Sequence, residues 1–147
     1  MIKTKRMISF SFCILAFACS SDLSDDPIPF VPFADIVLNL SLPAYATLQN
    51  VNGFLEIDDG GVKGIILHRT STNAVSAFEK TCSFQPADAC ANVSVHLSGL
   101  YMIDVCCNST FDFANGNPTG GPAFRPLRQY KTLLSGNTLT ITDDTIN

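Results

Sequence analysis

Short runs of alternating apolar and polar residues, each cut off by turn-forming residues, recur between positions 34 and 142. Residues 34–42 alternate around Ile36, Leu38 and Leu40, the period of two that marks a half-buried strand. Residues 52–57 and 64–68 flank Asp58-Asp59-Gly60-Gly61, whose Asp-Gly and Gly-Gly steps supply the positive φ that a hairpin needs. A further strand is expected at 75–79, after the polar Ser71-Thr72-Asn73 turn. Residues 93–97 and 100–105 are joined by Ser98-Gly99, and residues 131–134 and 138–142 close around Ser135-Gly136-Asn137. Residues 45–48 fit one helical turn, and no amphipathic helix of useful length is present. Strands at this spacing predict an all-β chain, an antiparallel sandwich or barrel, in one domain large enough to hold a real core.

Ahead of the strands the pattern changes. Lys3, Lys5 and Arg6 precede an apolar run over residues 7–18, the layout of an export signal. The run is shorter than the roughly 20 apolar residues of a spanning helix. It ends in Leu15-Ala16-Phe17-Ala18-Cys19, which resembles a lipobox, so residues 1–18 are expected to be a lipoprotein signal peptide and Cys19 the lipidated residue. Residues 19–30, with Ser20-Ser21-Asp22-Leu23-Ser24-Asp25-Asp26 followed by Pro27 and Pro29, bury little and form an acidic flexible tether ahead of a domain over 31–147. The Ser/Asp-rich stretch resembles the lipoprotein export signals of the Bacteroidetes, which implies a lipid anchor in the outer membrane, with the outer face as the destination such signals specify.

Removal of the leader leaves six basic against thirteen acidic residues, a net charge of about −7. No basic patch remains for nucleic acid. The expected membrane contact is therefore through lipid and not through charge.

Of the six cysteines, Cys13 lies in the leader and Cys19 at the lipid site, leaving Cys82, Cys90, Cys106 and Cys107. An exported chain meets conditions in which disulfides persist. A bond between the neighbours Cys106 and Cys107 would close a strained ring, which leaves two crossed pairings, both tying the first cysteine loop to the second. A four-thiolate zinc site would need cysteine pairs two to four residues apart on each of two knuckles. Here the spacings are seven residues and none, so no metal is expected. Neither is an activated thiolate, since there is no Cys-x-x-Cys pair. His68 lies at a strand end and His96 within a strand, both read as structural, and Asp58 and Asp59 lack the alternating spacing of a calcium loop.

Three segments then change the picture. Thr81-Cys82-Ser83-Phe84-Gln85-Pro86, Val105-Cys106-Cys107-Asn108-Ser109-Thr110-Phe111-Asp112 and Gly120-Gly121-Pro122-Ala123 resemble the three cluster-binding loops of Rieske iron–sulfur domains. That family holds a 2Fe-2S cluster with Cys-x-His in one loop and Cys-x-x-His in another. Aligning on Ser109-Thr110-Phe111-Asp112 puts Cys107 where the second-loop histidine belongs and Asp104 where the second-loop cysteine belongs. Cys82 takes the first-loop cysteine position, and Phe84 falls where its histidine should be. The covering loop is kept as Gly121, Pro122 and Ala123, and residues 125–130 lead into the last hairpin as in Rieske domains.

The resemblance spans residues 53–142. It implies a Rieske-like antiparallel β-sandwich with a small cluster-binding-like subdomain and a degenerate cluster site. In several Rieske proteins a disulfide ties the two loops, and Cys106 matches one of its cysteines, which implies Cys90 as partner. Cys82 and Cys107 would then form a second bridge where the cluster used to sit, with Phe84 under Pro122 filling the vacated volume. The function so implied has no catalytic residues and no expected cofactor: a structural or binding module working with an unknown envelope protein. The alternative is a Rieske-type 2Fe-2S electron-transfer protein.

Overall fold

A computed structural model describes residues 27–147; the expected leader, Cys19 and the tether up to Asp26 lie outside the described residues. The strands are β1 (Ile36–Asn39), β2 (Phe54–Ile57), β3 (Ile65–Ser71), β4 (Ala74–Glu79), β5 (Val93–Val95), β6 (Met102–Asp104), β7 (Ser109–Phe111), β8 (Pro118–Gly120), β9 (Gln129–Ser135) and β10 (Thr138–Thr145). They form a six-stranded sheet in the order β1-β10-β9-β4-β3-β2 and a four-stranded sheet in the order β5-β6-β7-β8. All neighbours pair antiparallel.

β3 explains how the two sheets stack. Ile65-Ile66-Leu67-His68 are buried without a break, because successive side chains point to opposite faces and both faces are covered. Ile65 and Leu67 share one core with Leu38, Ala77, Tyr130, Leu139 and Ile141, all from the six-stranded sheet, which curls around its own side chains. Ile66 and Phe78 point the other way, into a second core with Val93, Met102, Phe111 and Leu127. That second core joins the small sheet to the large one. The short helical turn expected at 45–48 is a 3-10 helix over Pro43–Gln49, with a proline in its first turn, and its buried Leu48 closes one side of the first core.

The turn between β2 and β3 carries its glycines for two reasons. Gly60 and Gly61 adopt φ of 78° and 65°, and a Cβ on Gly61 would lie 2.2 Å from Glu79 Oε2. Glu79 is fully buried at the end of β4. Its Oε2 accepts hydrogen bonds from the Val62 amide (2.9 Å) and the Tyr130 hydroxyl (2.7 Å), and its Oε1 from the Lys63 amide (3.1 Å) and from the amide and hydroxyl of Thr81 (both 3.0 Å). One carboxylate thus fastens the β2–β3 turn, β9 and the start of the first cysteine loop together.

The expected all-β class, antiparallel with a small loop-bearing sheet beside the larger one, is the one observed. Boundaries move: the strand expected over 34–42 covers Ile36–Asn39, and the last hairpin lengthens to Gln129–Ser135 and Thr138–Thr145. β7 and β8 escaped the sequence reading. As Ser-Thr-Phe and Pro-Thr-Gly they carry no aliphatic side chain and show no alternation.

Candidate functional site

Three loops converge at one end of the small sheet. The first, residues 80–92, leaves β4 and returns through a bridge between Thr81 and Asn92 into β5. Lys63 Nζ holds its far side by donating to the carbonyls of Asp88 (2.9 Å), Ala89 (3.2 Å) and Ala91 (2.8 Å). The second loop, residues 105–108, joins β6 to β7, with Asn108 at a φ of 58° and Asp104 Oδ1 accepting the Cys106 amide at 2.8 Å. The third carries Gly121, Pro122 and Ala123. Gly121 has a φ of 81°, and a Cβ there would meet Ser109 Cα at 2.5 Å.

Ser109 is the meeting point. Its Oγ accepts the Ala123 amide at 3.0 Å and lies 3.0 Å from Cys107 Sγ. Ser83 Oγ, in the first loop, donates to the Arg125 carbonyl at 2.6 Å and closes the ring of loops.

Cys90 and Cys106 are joined by a disulfide with Cα atoms 5.7 Å apart, the pairing the family resemblance implied. The second bridge is not formed. Cys82 and Cys107 are free thiols with Sγ atoms 3.8 Å apart, in contact but not bonded. The Cys107 thiol is held by other partners, Asp104 Oδ2 at 3.3 Å and Ser109 Oγ. Burial, then a hydrogen bond with Asp104, pushes the Cys82 thiol well above the ordinary thiol range.

A second expectation is also corrected. Phe84 packs against the second core but does not fill the space below Pro122. Phe84 and Pro122 line a cavity of about 260 Å³, with Asp104 and Cys107 in its wall. Phe84 is half-buried.

Asp104 is fully buried, and its carboxylate, Cys82 Sγ and Cys107 Sγ lie within 4.8 Å of one another. Both histidines lie outside this group. His68 stacks on Phe113 with ring centres 4.2 Å apart, and His96 stacks on Tyr101 and pairs with Ser98 through Nδ1 at 2.9 Å. A 2Fe-2S cluster needs a pair of ligands on each of two irons. Here three donors converge on a single point and the fourth position is a phenyl ring, so the residues do not fit the cluster.

Sequence reasoning placed Cys82, Phe84, Asp104, Cys107 and Pro122 around one site, and the structure brings them together. It missed Lys63 and the joining role of Ser109. Nothing local marks a lysine 25 residues before Asp88 as the clamp of that loop.

No protein-family model and no curated protein sequence matches the chain. Solved structures that resemble it include the following two. One is the ferredoxin of carbazole 1,9a-dioxygenase from Nocardioides aromaticivorans IC177, 17% identical over 63% of this chain and 86% of that one, with a TM-score of 0.44. The other is a complex of reduced oxygenase and oxidized ferredoxin in carbazole 1,9a-dioxygenase, 15% identical over 66% of this chain and 86% of that one, with a TM-score of 0.49. Identities this low speak to fold alone. TM-scores under one half leave the weight on the strands and loops themselves.

Proposed function

We propose that this chain is a lipid-anchored lipoprotein of the bacterial outer membrane whose Rieske-like domain is a non-catalytic structural or binding module without a two-iron cluster. Phe84 carries the reading: a side chain with no lone pair stands where the cluster would need its second first-loop ligand. The Cys90–Cys106 disulfide and the contacts at Ser109, which tie the three loops by means other than iron, support it.

The anchor rests on the Leu15-Ala16-Phe17-Ala18-Cys19 signature and the acidic segment after it. A protein partner in the envelope is supported by apolar side chains exposed at the small sheet and its loops: Leu97 and Leu100 beside the β5–β6 turn, Val105 on the second loop and Phe124 on the third. The acidic balance speaks against nucleic acid.

Iron and acid-labile sulfide measured on the full chain, purified without oxygen, test this reading. Neither is expected in stoichiometric amount, and the dithionite-reduced protein should give no cluster resonance. Two irons and two sulfides per chain, with the paramagnetic signal of a reduced cluster, would overturn it.

A further inference from the structure

The spacing of the three donors matches a different kind of centre. In a tetrahedral zinc site each sulfur lies about 2.3 Å from the ion, which sets two sulfurs roughly 3.8 Å apart and a sulfur and a carboxylate oxygen roughly 3.5 Å apart. Cys82 Sγ and Cys107 Sγ are 3.8 Å apart, and Cys107 Sγ and Asp104 Oδ2 are 3.3 Å apart. The geometry points to a mononuclear site for a single borderline-soft divalent cation, zinc above all, held by Cys82, Asp104 and Cys107. This rests on the reading that no two-iron cluster is present.

Three features support it. The Cys90–Cys106 disulfide removes Cys106 as a rival, so the adjacent pair presents one sulfur to the ion and not two. Asp104 is fully buried and keeps Oδ1 on the Cys106 amide, which orients Oδ2 toward Cys107 as an outer hydrogen bond orients a metal ligand. A divalent cation that takes the place of the two thiol protons bonds the buried carboxylate directly and leaves the net charge of the group unchanged. Binding forms two metal–sulfur bonds and one metal–oxygen bond and releases the two thiol protons to solvent, with no change in oxidation state. Three protein ligands leave a fourth position for water, and the cavity of about 260 Å³ that Asp104 and Cys107 border gives that water its route.

The test is titration of the full chain with Co²⁺ as a spectroscopic stand-in for Zn²⁺. Alkylation and mass spectrometry first establish that Cys82 and Cys107 are thiols. One equivalent of Co²⁺ should bind with sulfur-to-cobalt charge-transfer bands and the intense visible bands of tetrahedral geometry, and one equivalent of Zn²⁺ should erase them. Cys107→Ser should abolish the charge-transfer signature. Asp104→Asn keeps the volume and the Oδ1 acceptor, and should weaken binding beyond the roughly 10–100-fold that loss of an outer partner costs. Circular dichroism confirms that each variant is folded.

Absence of the bands with both thiols free would overturn the inference and leave the cluster-free reading standing. So would bands unchanged in folded Asp104→Asn and Cys107→Ser, or isolation of the native protein with Cys82 bonded to Cys107. Two irons with two sulfides would overturn both readings together.

Discussion

Glu79 meets its charge through five hydrogen bonds in a place closed to water. Glu79→Ala strands the amides of Val62, Lys63 and Thr81 and the hydroxyls of Thr81 and Tyr130. At about 1–3 kcal/mol for a buried polar group left unpaired, a loss of at least about 3 kcal/mol is expected in chemical denaturation. Glu79→Gln keeps one acceptor oxygen and should lose less. Equal stability of the alanine variant and the parent would show that these bonds do not hold the turn. His68 poses the opposite problem: it is buried on Phe113 with Nδ1 unpartnered among the described residues, and burial lowers its pKa from the ordinary 6.5. The unfolded chain therefore binds the proton more readily, and the contribution of neutral His68 is lost as pH falls below 6.5. Denaturation midpoints measured between pH 7 and 5 should fall less steeply in His68→Phe than in the parent. Parallel slopes would assign the acid sensitivity to other groups.

At the scale of elements, the six-stranded sheet and the small sheet stand on different footings. β3 and β4 are packed on both faces, whereas β5, β6, β7 and β8 are three residues each and depend on the second core and on the crosslink between their loops. The Cys90–Cys106 bond spans a sequence separation of 16, and closing a loop of that length restricts the unfolded chain by about 3 kcal/mol. The double variant Cys90→Ala/Cys106→Ala should lose about that much stability. Its faster hydrogen exchange should be concentrated in residues 80–92 and 105–108, with β3 and β4 still protected. Uniform loss of protection over both sheets would mean that the crosslink supports the whole domain.

At the scale of the whole molecule, the proposed site of work is a membrane surface. Among the described residues no helix is long and apolar enough to cross a membrane. The proposed attachment, through lipid on Cys19, rests on the Leu15-Ala16-Phe17-Ala18-Cys19 signature. Cys19→Ala expressed in a Bacteroidetes host should move the protein from the membrane pellet to the soluble fraction and end incorporation of labelled palmitate. Retention of the variant in the pellet would place the attachment elsewhere.

The large sheet was legible because strand periodicity and turn chemistry are local. Ile36, Leu38 and Leu40 declare a face by spacing alone, and Gly60, Gly99 and Gly136 mark positive-φ turns that only a residue without Cβ adopts freely. The loops could be compared with Rieske loops from their residues, a comparison in which Phe84 falls at a histidine position. Which sulfurs bond was a tertiary matter. Cys82 and Cys107 come from two loops and Asp104 from the end of β6, and a difference of under 2 Å between sulfur contact and sulfur bond follows from how β4, β6 and β7 pack. The buried role of Glu79 was decided the same way, by a turn and a distant tyrosine that the six-stranded sheet brings to it.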